Sequence, residues 1–132
     1  MTEEPSMGIL SRHIGQQVEA WGDGHCRLAI DIDERHANRD GAVDGGVIAI
    51  LIDSAAAYAG TYPADDGRAG HCATIAMNIN FIAQPQGKRL LADGKVRGGG
   101  RRIFFARTEI TDELGNLVAY GDCTFRYFPP AD

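Results

Sequence analysis

Hydrophobic and polar positions change rhythm twice along the chain. The stretch up to about Gln16 carries little pattern beyond a short helix from Ile9 onward. Val18 to Trp21 and Cys26 to Ile32 then read as two strands joined by the turn Gly22-Asp23-Gly24. In the second of them Cys26, Leu28, Ile30 and Ile32 share one face at the strand period of two. A polar, turn-rich segment follows from Asp33 to Gly46. From Val47 to Ala59 the residues are apolar almost all the way round, with alanines gathered late in the run. A helix of that kind has no solvent face and must be wrapped by other elements. At 1.5 Å per residue it spans roughly 20 Å, enough to cross a small sheet. Gly60 to Gly70, with Pro63, Asp65, Asp66 and Gly67, reads as a loop.

After that loop the period is two throughout. Ala73, Ile75, Met77, Ile79 and Phe81 alternate with Thr74, Ala76, Asn78 and Asn80. Leu90, Ala92, Gly94 and Val96 form one face of the next strand, and Phe104, Ala106, Thr108 and Ile110 one face of the strand after it. The turn Asp112-Glu113-Leu114-Gly115-Asn116 leads to a last strand with Leu117, Ala119, Gly121, Cys123 and Phe125 on one side. Long strands with one apolar face each suit an antiparallel sheet covered on one side. The expected class is α+β: a curved antiparallel sheet of five or six strands wrapped around a central helix at about residues 46–60.

Composition narrows this without changing it. A chain of 132 residues with 44% apolar and 23% charged positions fits one globular domain, residues 1–132, with 1–16 as an N-terminal segment. A net charge of −5 argues against nucleic acid as a partner, because phosphates call for a broad basic surface. Three widely spaced cysteines, Cys26, Cys72 and Cys123, suggest free thiols in a reducing cytoplasm rather than a disulfide framework. Neither a signal peptide nor an apolar run of the ~20 residues that span a bilayer is expected.

Asp53 stands out because it interrupts the apolar helix. An ionised carboxylate among core residues costs several kcal/mol unless it is paired, hydrogen-bonded or open to a cleft. It is expected either to tie down a neighbouring loop or to line a cleft as a general base or nucleophile. Asp44-Gly45-Gly46 leads into the helix. Its first-turn N–H groups lack helical partners and lie at the positive end of the dipole, which suits an oxyanion. The plainer alternative is a glycine turn with Asp44 near the N-cap. Asp44 and Asp53 stand two and a half turns apart and are not expected to share a site within one chain. Arg97-Gly98-Gly99-Gly100-Arg101-Arg102 offers forked donors and bare backbone to an anion, or is a hairpin turn with solvated arginines. His13, His25, His36 and His71 show no metal-ligand spacing and are expected on the surface or in loops, His36 helping to shape the Asn38 loop. Asp31 and Asp33 read as exposed strand charges.

The run His36-Ala-Asn-Arg-Asp-Gly-Ala-Val-Asp-Gly-Gly46, continued by Val47 to Ala55, resembles the signature of the PaaI-like hotdog-fold acyl-CoA thioesterases. So do Thr74-Ile-Ala-Met-Asn-Ile-Asn-Phe81 and Asp112-Glu-Leu-Gly-Asn-Leu-Val-Ala119, and the likeness covers roughly Asp33 to Phe128. The resemblance implies a hotdog fold and hydrolysis of acyl-CoA thioesters without metal or cofactor. By it, Asp53 activates water or attacks the thioester, Asn38 positions the reacting groups, the Gly45 N–H polarises the carbonyl, and Thr74 assists the aspartate. It further implies a homodimer or dimer of dimers, with Asn38 and Gly45 of one subunit facing Asp53 and Thr74 of the other. The nucleotide of CoA would lie near the turn containing Gly99, Gly100, Arg101 and Arg102, and Gly46 and Ser54 would also bind substrate. A medium-chain or aryl acyl group would enter a tunnel lined by Ile50, Ser54, Tyr58 or Met77.

The chain departs from that family at Asp44, where histidine is usual. An ionised aspartate cannot donate a hydrogen bond, and a second carboxylate near Asp53 across a dimer disfavours ionising both. The consequence is either a raised pKa in one of the pair or weaker catalysis. A protein that binds acyl-CoA without turning it over is the alternative this departure motivates.

Overall fold

The computed structural model describes residues 4–63 and 70–128, so the Asp65, Asp66 and Gly67 of the expected loop lie outside the described residues. Two helices, α1 (Ile9–His13) and α2 (Gly45–Gly60), accompany six strands: β1 (Gln17–Gly22), β2 (His25–Asp31), β3 (Cys72–Phe81), β4 (Arg89–Gly99), β5 (Ile103–Asp112) and β6 (Leu117–Tyr127). All neighbours are antiparallel in the order β1-β2-β4-β5-β6-β3, which leaves β1 and β3 as edges. The α+β expectation of a central helix on a curved antiparallel sheet holds. No helix among the described residues is long and apolar enough to cross a membrane.

The core lies between α2 and one face of the sheet. Leu28, Ile30, Leu90, Ile110 and Phe125 are fully buried there, under Leu51, Ile52, Ala55 and Ala56 of the helix. Two glycines let the helix settle this close. A Cβ on Gly94 would collide with the carbonyl of Ala55, and one on Gly121 would stand 2.7 Å from Ile52 Cγ2. Thr108, buried in the sheet, donates to the Ile52 carbonyl at 2.8 Å, immediately before Asp53.

The helix differs from expectation in one respect. Its own sheet wraps only one side, chiefly through β2, β4 and β5. The opposite stripe, with Ile50, Asp53, Ser54, Ala57 and Tyr58, is half-buried. Apolar residues all round predict complete covering, but β3 and β6 only skirt the helix, so the second side stays open.

The strict alternation expected in β3 is also broken. A β-bulge between Thr74 and Ala76 sets Ala76 opposite Thr124 and Thr74 opposite Phe125. One extra residue reverses the phase of a strand. Thr74 therefore joins Met77, Ile79 and Phe81 on the helix side rather than the outer side, and Ile75 is 56% exposed.

His36 is buried rather than superficial, at 1% exposure. Its Nδ1 accepts the Asp33 N–H at 3.0 Å and its Nε2 lies 2.7 Å from the Ile14 carbonyl, so it does shape the loop carrying Asn38. Strand β2 ends at Asp31, and Asp33 instead caps the single 3-10 turn Glu34–His36 and takes up Arg35.

Candidate active site

Asp53 sits halfway along α2 on the open stripe, and the bulge in β3 brings Thr74 to it. The Thr74 hydroxyl donates to Asp53 Oδ1 at 2.6 Å. Among the described residues nothing bonds Oδ2, so one carboxylate oxygen is held and the other is available to a proton.

The neighbouring thiols cannot take over the chemistry. Burial, with the Asp53 charge second, pushes Cys72 up to about 11. Burial and then Asp53 and Asp122 push Cys123 up to about 12. Both remain protonated near neutrality, and a thiol is a poor nucleophile. Tyr58 is raised as well, by burial first and then by Cys26 and Asp53, so its hydroxyl stays a donor.

The other predicted residues gather at the start of α2. Asp44 takes the N-cap position, its Oδ1 accepting the Gly46 N–H at 2.7 Å. That is the capping geometry weighed from the sequence, and it turns the carboxylate toward the helix. A Cβ on Gly46 would stand 3.0 Å from that oxygen. The Gly45 N–H has no partner among the described residues, and the Phe81 ring lies against this glycine, 3.4 Å from where a Cβ would be. Asn38 Oδ1 accepts from the N–H groups of Asp40 and Ala42 at 2.9 and 3.1 Å, closing its own loop.

The structure thus unites Asp53 with Thr74, and Gly45 with Asp44 and Gly46, as two separate groups. Eight residues of helix set Gly45 and Asp53 roughly 12 Å apart, and no hydrogen bond joins Asn38 to Asp53 or Thr74. Ser54 lies beside Asp53 on the open stripe.

At the far end of the sheet, Gly100 to Arg102 form the β4–β5 turn, closed by Gly100 N–H to the Ile103 carbonyl at 2.8 Å. Gly99 has φ 135°, a conformation that favours glycine. Arg97, Arg101 and Arg102 form no ion pair among the described residues, whereas Arg27, Arg35, Arg89 and Arg107 all do. The register adds Arg126, exposed on β6 opposite Ile103 and Ala73, which sequence reasoning missed. Only its place on the outer face of the last strand hinted at it. A groove of about 300 Å³ runs from Arg97 and Phe105 over Thr124 to Ala76, Met77 and Asn78 at the β3 edge.

A single long helix laid across a six-stranded antiparallel sheet is the hotdog architecture, and Asp53 lies on the open side of that helix. Residues 40–119 match the Thioesterase superfamily, and the chain belongs to that family. It is 32% identical over 130 residues to a Halobacterium salinarum protein named an esterase by inference, covering 92% of this chain and 85% of that one. It is 27% identical over 92 residues to mouse acyl-coenzyme A thioesterase 13, covering 68% and 64%. In fold it is similar to the Escherichia coli PaaI protein of the phenylacetic acid degradation operon, with a TM-score of 0.82, 18% identity and 94% and 87% coverage. The chain is a thioester hydrolase of the hotdog fold.

Proposed function

We propose that the chain hydrolyses a medium-chain or aryl acyl-CoA to the free acid and CoA, with Asp53 as general base or nucleophile. The observation that carries this reading is the hydrogen bond from Thr74, which holds one oxygen of Asp53, while the other makes no bond among the described residues. As a base, Asp53 takes a proton from water while the oxygen of that water bonds to the thioester carbon. The C–S bond then breaks, the leaving sulfur takes the proton held on Asp53, and CoA departs as the thiol while the carboxylate is regenerated. The Gly45 N–H stabilises the oxyanion between the two events. Asp44 serves this step as the cap that holds the turn, and the amide nitrogen of Asn38, which makes no bond among the described residues, positions the substrate. Carboxylate-assisted attack by water calls for no metal or cofactor.

Gly45 and Asp53 serve one thioester only if they come from two subunits. The exposed β3 edge supports a homodimer in which two β3 strands pair antiparallel about a two-fold axis near Met77. Thr74 then stands beside Asn80 of the partner subunit, next to the Phe81 that covers Gly45. Such a site lies across the interface, and joining two such dimers as a dimer of dimers leaves it unaltered. Arg97, Arg101, Arg102 and Arg126, which form no ion pair among the described residues, suit the phosphates of CoA. Ile50, Ser54, Tyr58 and Met77, all on the helix side, flank the acyl group. Three free thiols favour the cytoplasm as its compartment.

Thiol release from a panel of acyl-CoAs, with Asp53→Asn beside the parent, tests the reading. Turnover that falls by roughly 100-fold or more in a variant of unchanged stability is expected. Full activity of the variant removes Asp53 from the mechanism. A parent that binds acyl-CoA with no thiol release over hours is a binding protein instead.

A further inference from the structure

Ala37 and Val43 face each other in an antiparallel bridge that closes the Asn38 loop. The flanking bonds run from Asn38 N–H to the Ala42 carbonyl at 2.7 Å and from Asp44 N–H to the His36 carbonyl at 2.8 Å. Ala37 and Val43 are therefore the pair that exchanges no hydrogen bonds with each other. The N–H and C=O of Val43 point to the other side, where a further strand would meet them in a sheet. A side chain meets them here. Gln84 Oε1 accepts the Val43 N–H at 2.9 Å, and Gln84 Nε2 donates to the Val43 carbonyl at 3.4 Å. A primary amide carries one acceptor and one donor side by side, as a strand does.

The clamp joins two parts of the site that lie far apart in sequence. Gln84 follows the end of β3 by three residues, and Val43 precedes Gly45 by two. Phe81, the last residue of β3, lies against Gly45 itself. The strand on the open edge is thus tied to the glycine turn through Gln84 on one side and Phe81 on the other.

We propose that Gln84 is a positioning residue for thioester hydrolysis, fixing the turn so that the Gly45 N–H keeps its aim while charge builds on the carbonyl oxygen. The inference rests on the role of Gly45 proposed above. Gln84 touches no reacting atom. It is exposed, so water replaces its amide when it is removed, and the loss falls on precision more than on stability. Precision matters because a displacement of about 1 Å costs up to roughly 100-fold in rate.

The test measures kcat, KM and thermal unfolding of Gln84→Met and Gln84→Glu, with Asp53→Asn as the reference. Gln84→Met keeps the length of the side chain and loses both bonds. It is expected to lower kcat roughly tenfold with KM within about twofold of the parent. Gln84→Glu retains the acceptor for the Val43 N–H and recovers part of that loss. A lower melting temperature with parental kcat would mark Gln84 as a structural staple and overturn the proposal. Parental kcat in Gln84→Met beside an inactive Asp53→Asn removes the clamp alone. An active Asp53→Asn removes the site reading on which the clamp depends.

Discussion

The two edges of the sheet are built to opposite ends. β1 is short, at six residues, is bulged between Val18 and Ala20, and is crossed by charge. Arg89 holds Asp31 at 2.7 Å and Glu19 at 3.0 Å, and Gln17 joins Asp31 at 3.2 Å. β3 has ten residues, with Ile75, Met77 and Phe81 at 56%, 40% and 58% exposure. A short, bulged, charged edge resists pairing with another chain, whereas a long apolar one invites it. The magnitudes agree. Burying what Ile75, Met77 and Phe81 leave exposed contributes on the order of 1 kcal/mol each, while an exposed ion pair is worth about 0–1 kcal/mol. One edge resists partners, and the other is the edge at which the dimer proposed above would pair.

The sharpest way to break this contrast is to charge the open edge. The double variant Ile75→Lys, Met77→Lys is expected to run as a monomer in light scattering and to lose at least about 100-fold in kcat/KM. A monomer of parental activity would show that each chain carries a complete site.

A smaller effect is expected from Thr74→Val, which keeps the shape of the side chain and removes the bond to Asp53. Loss of the hydroxyl frees the carboxylate to rotate, so kcat falls roughly tenfold with the oligomeric state unchanged. Parental kcat would leave Thr74 a bystander.

The loop that leaves β3 is anchored by Asp112. This carboxylate is 1% exposed and accepts the N–H groups of Gln86 at 2.8 Å, Gly87 at 3.1 Å, Leu114 at 3.0 Å and Asn116 at 2.9 Å. Burial alone would raise its pKa, but the bonds from Asn116, Gln86 and Gly87 outweigh it and hold the group well below the usual carboxylate range. A depressed folded-state pKa stabilises above the unfolded value of about 4, and that stability drains away as pH falls below it. Asp112→Asn should therefore lower the melting temperature by roughly 5–10 °C at neutral pH. The gap to the parent should narrow on acidification below about pH 4. A gap that stays constant down to pH 2 would contradict the assignment.

The smallest effect belongs to the closed edge. Glu19→Gln removes the carboxylate shared by Arg89 and Arg27. It is expected to cost under about 1 kcal/mol, or roughly 4 °C, and to change neither assembly nor turnover. A new oligomer in this variant would show that charge alone keeps β1 unpaired.

The period of two and the long apolar run of α2 decide which residues form strands, where the helix lies and, in β2, β4, β5 and β6, which strand faces meet it, because burial against water is a local property of the chain. Asp53 was legible for the same reason, as a carboxylate where every neighbour is apolar. The N-cap at Asp44 was legible too, since capping involves residues two positions apart. Strand order, and with it the contrast between β1 and β3, depended on pairings between distant segments. The bulge that swings Thr74 to Asp53 adds one residue against the register of β6, which a period count along β3 alone does not reveal. Arg126 reaches the arginine turn only through the pairing of β5 with β6, and Gln84 meets Val43 across 41 residues. Contacts of that span are set by the shape into which the whole chain packs, so only the tertiary structure decides them.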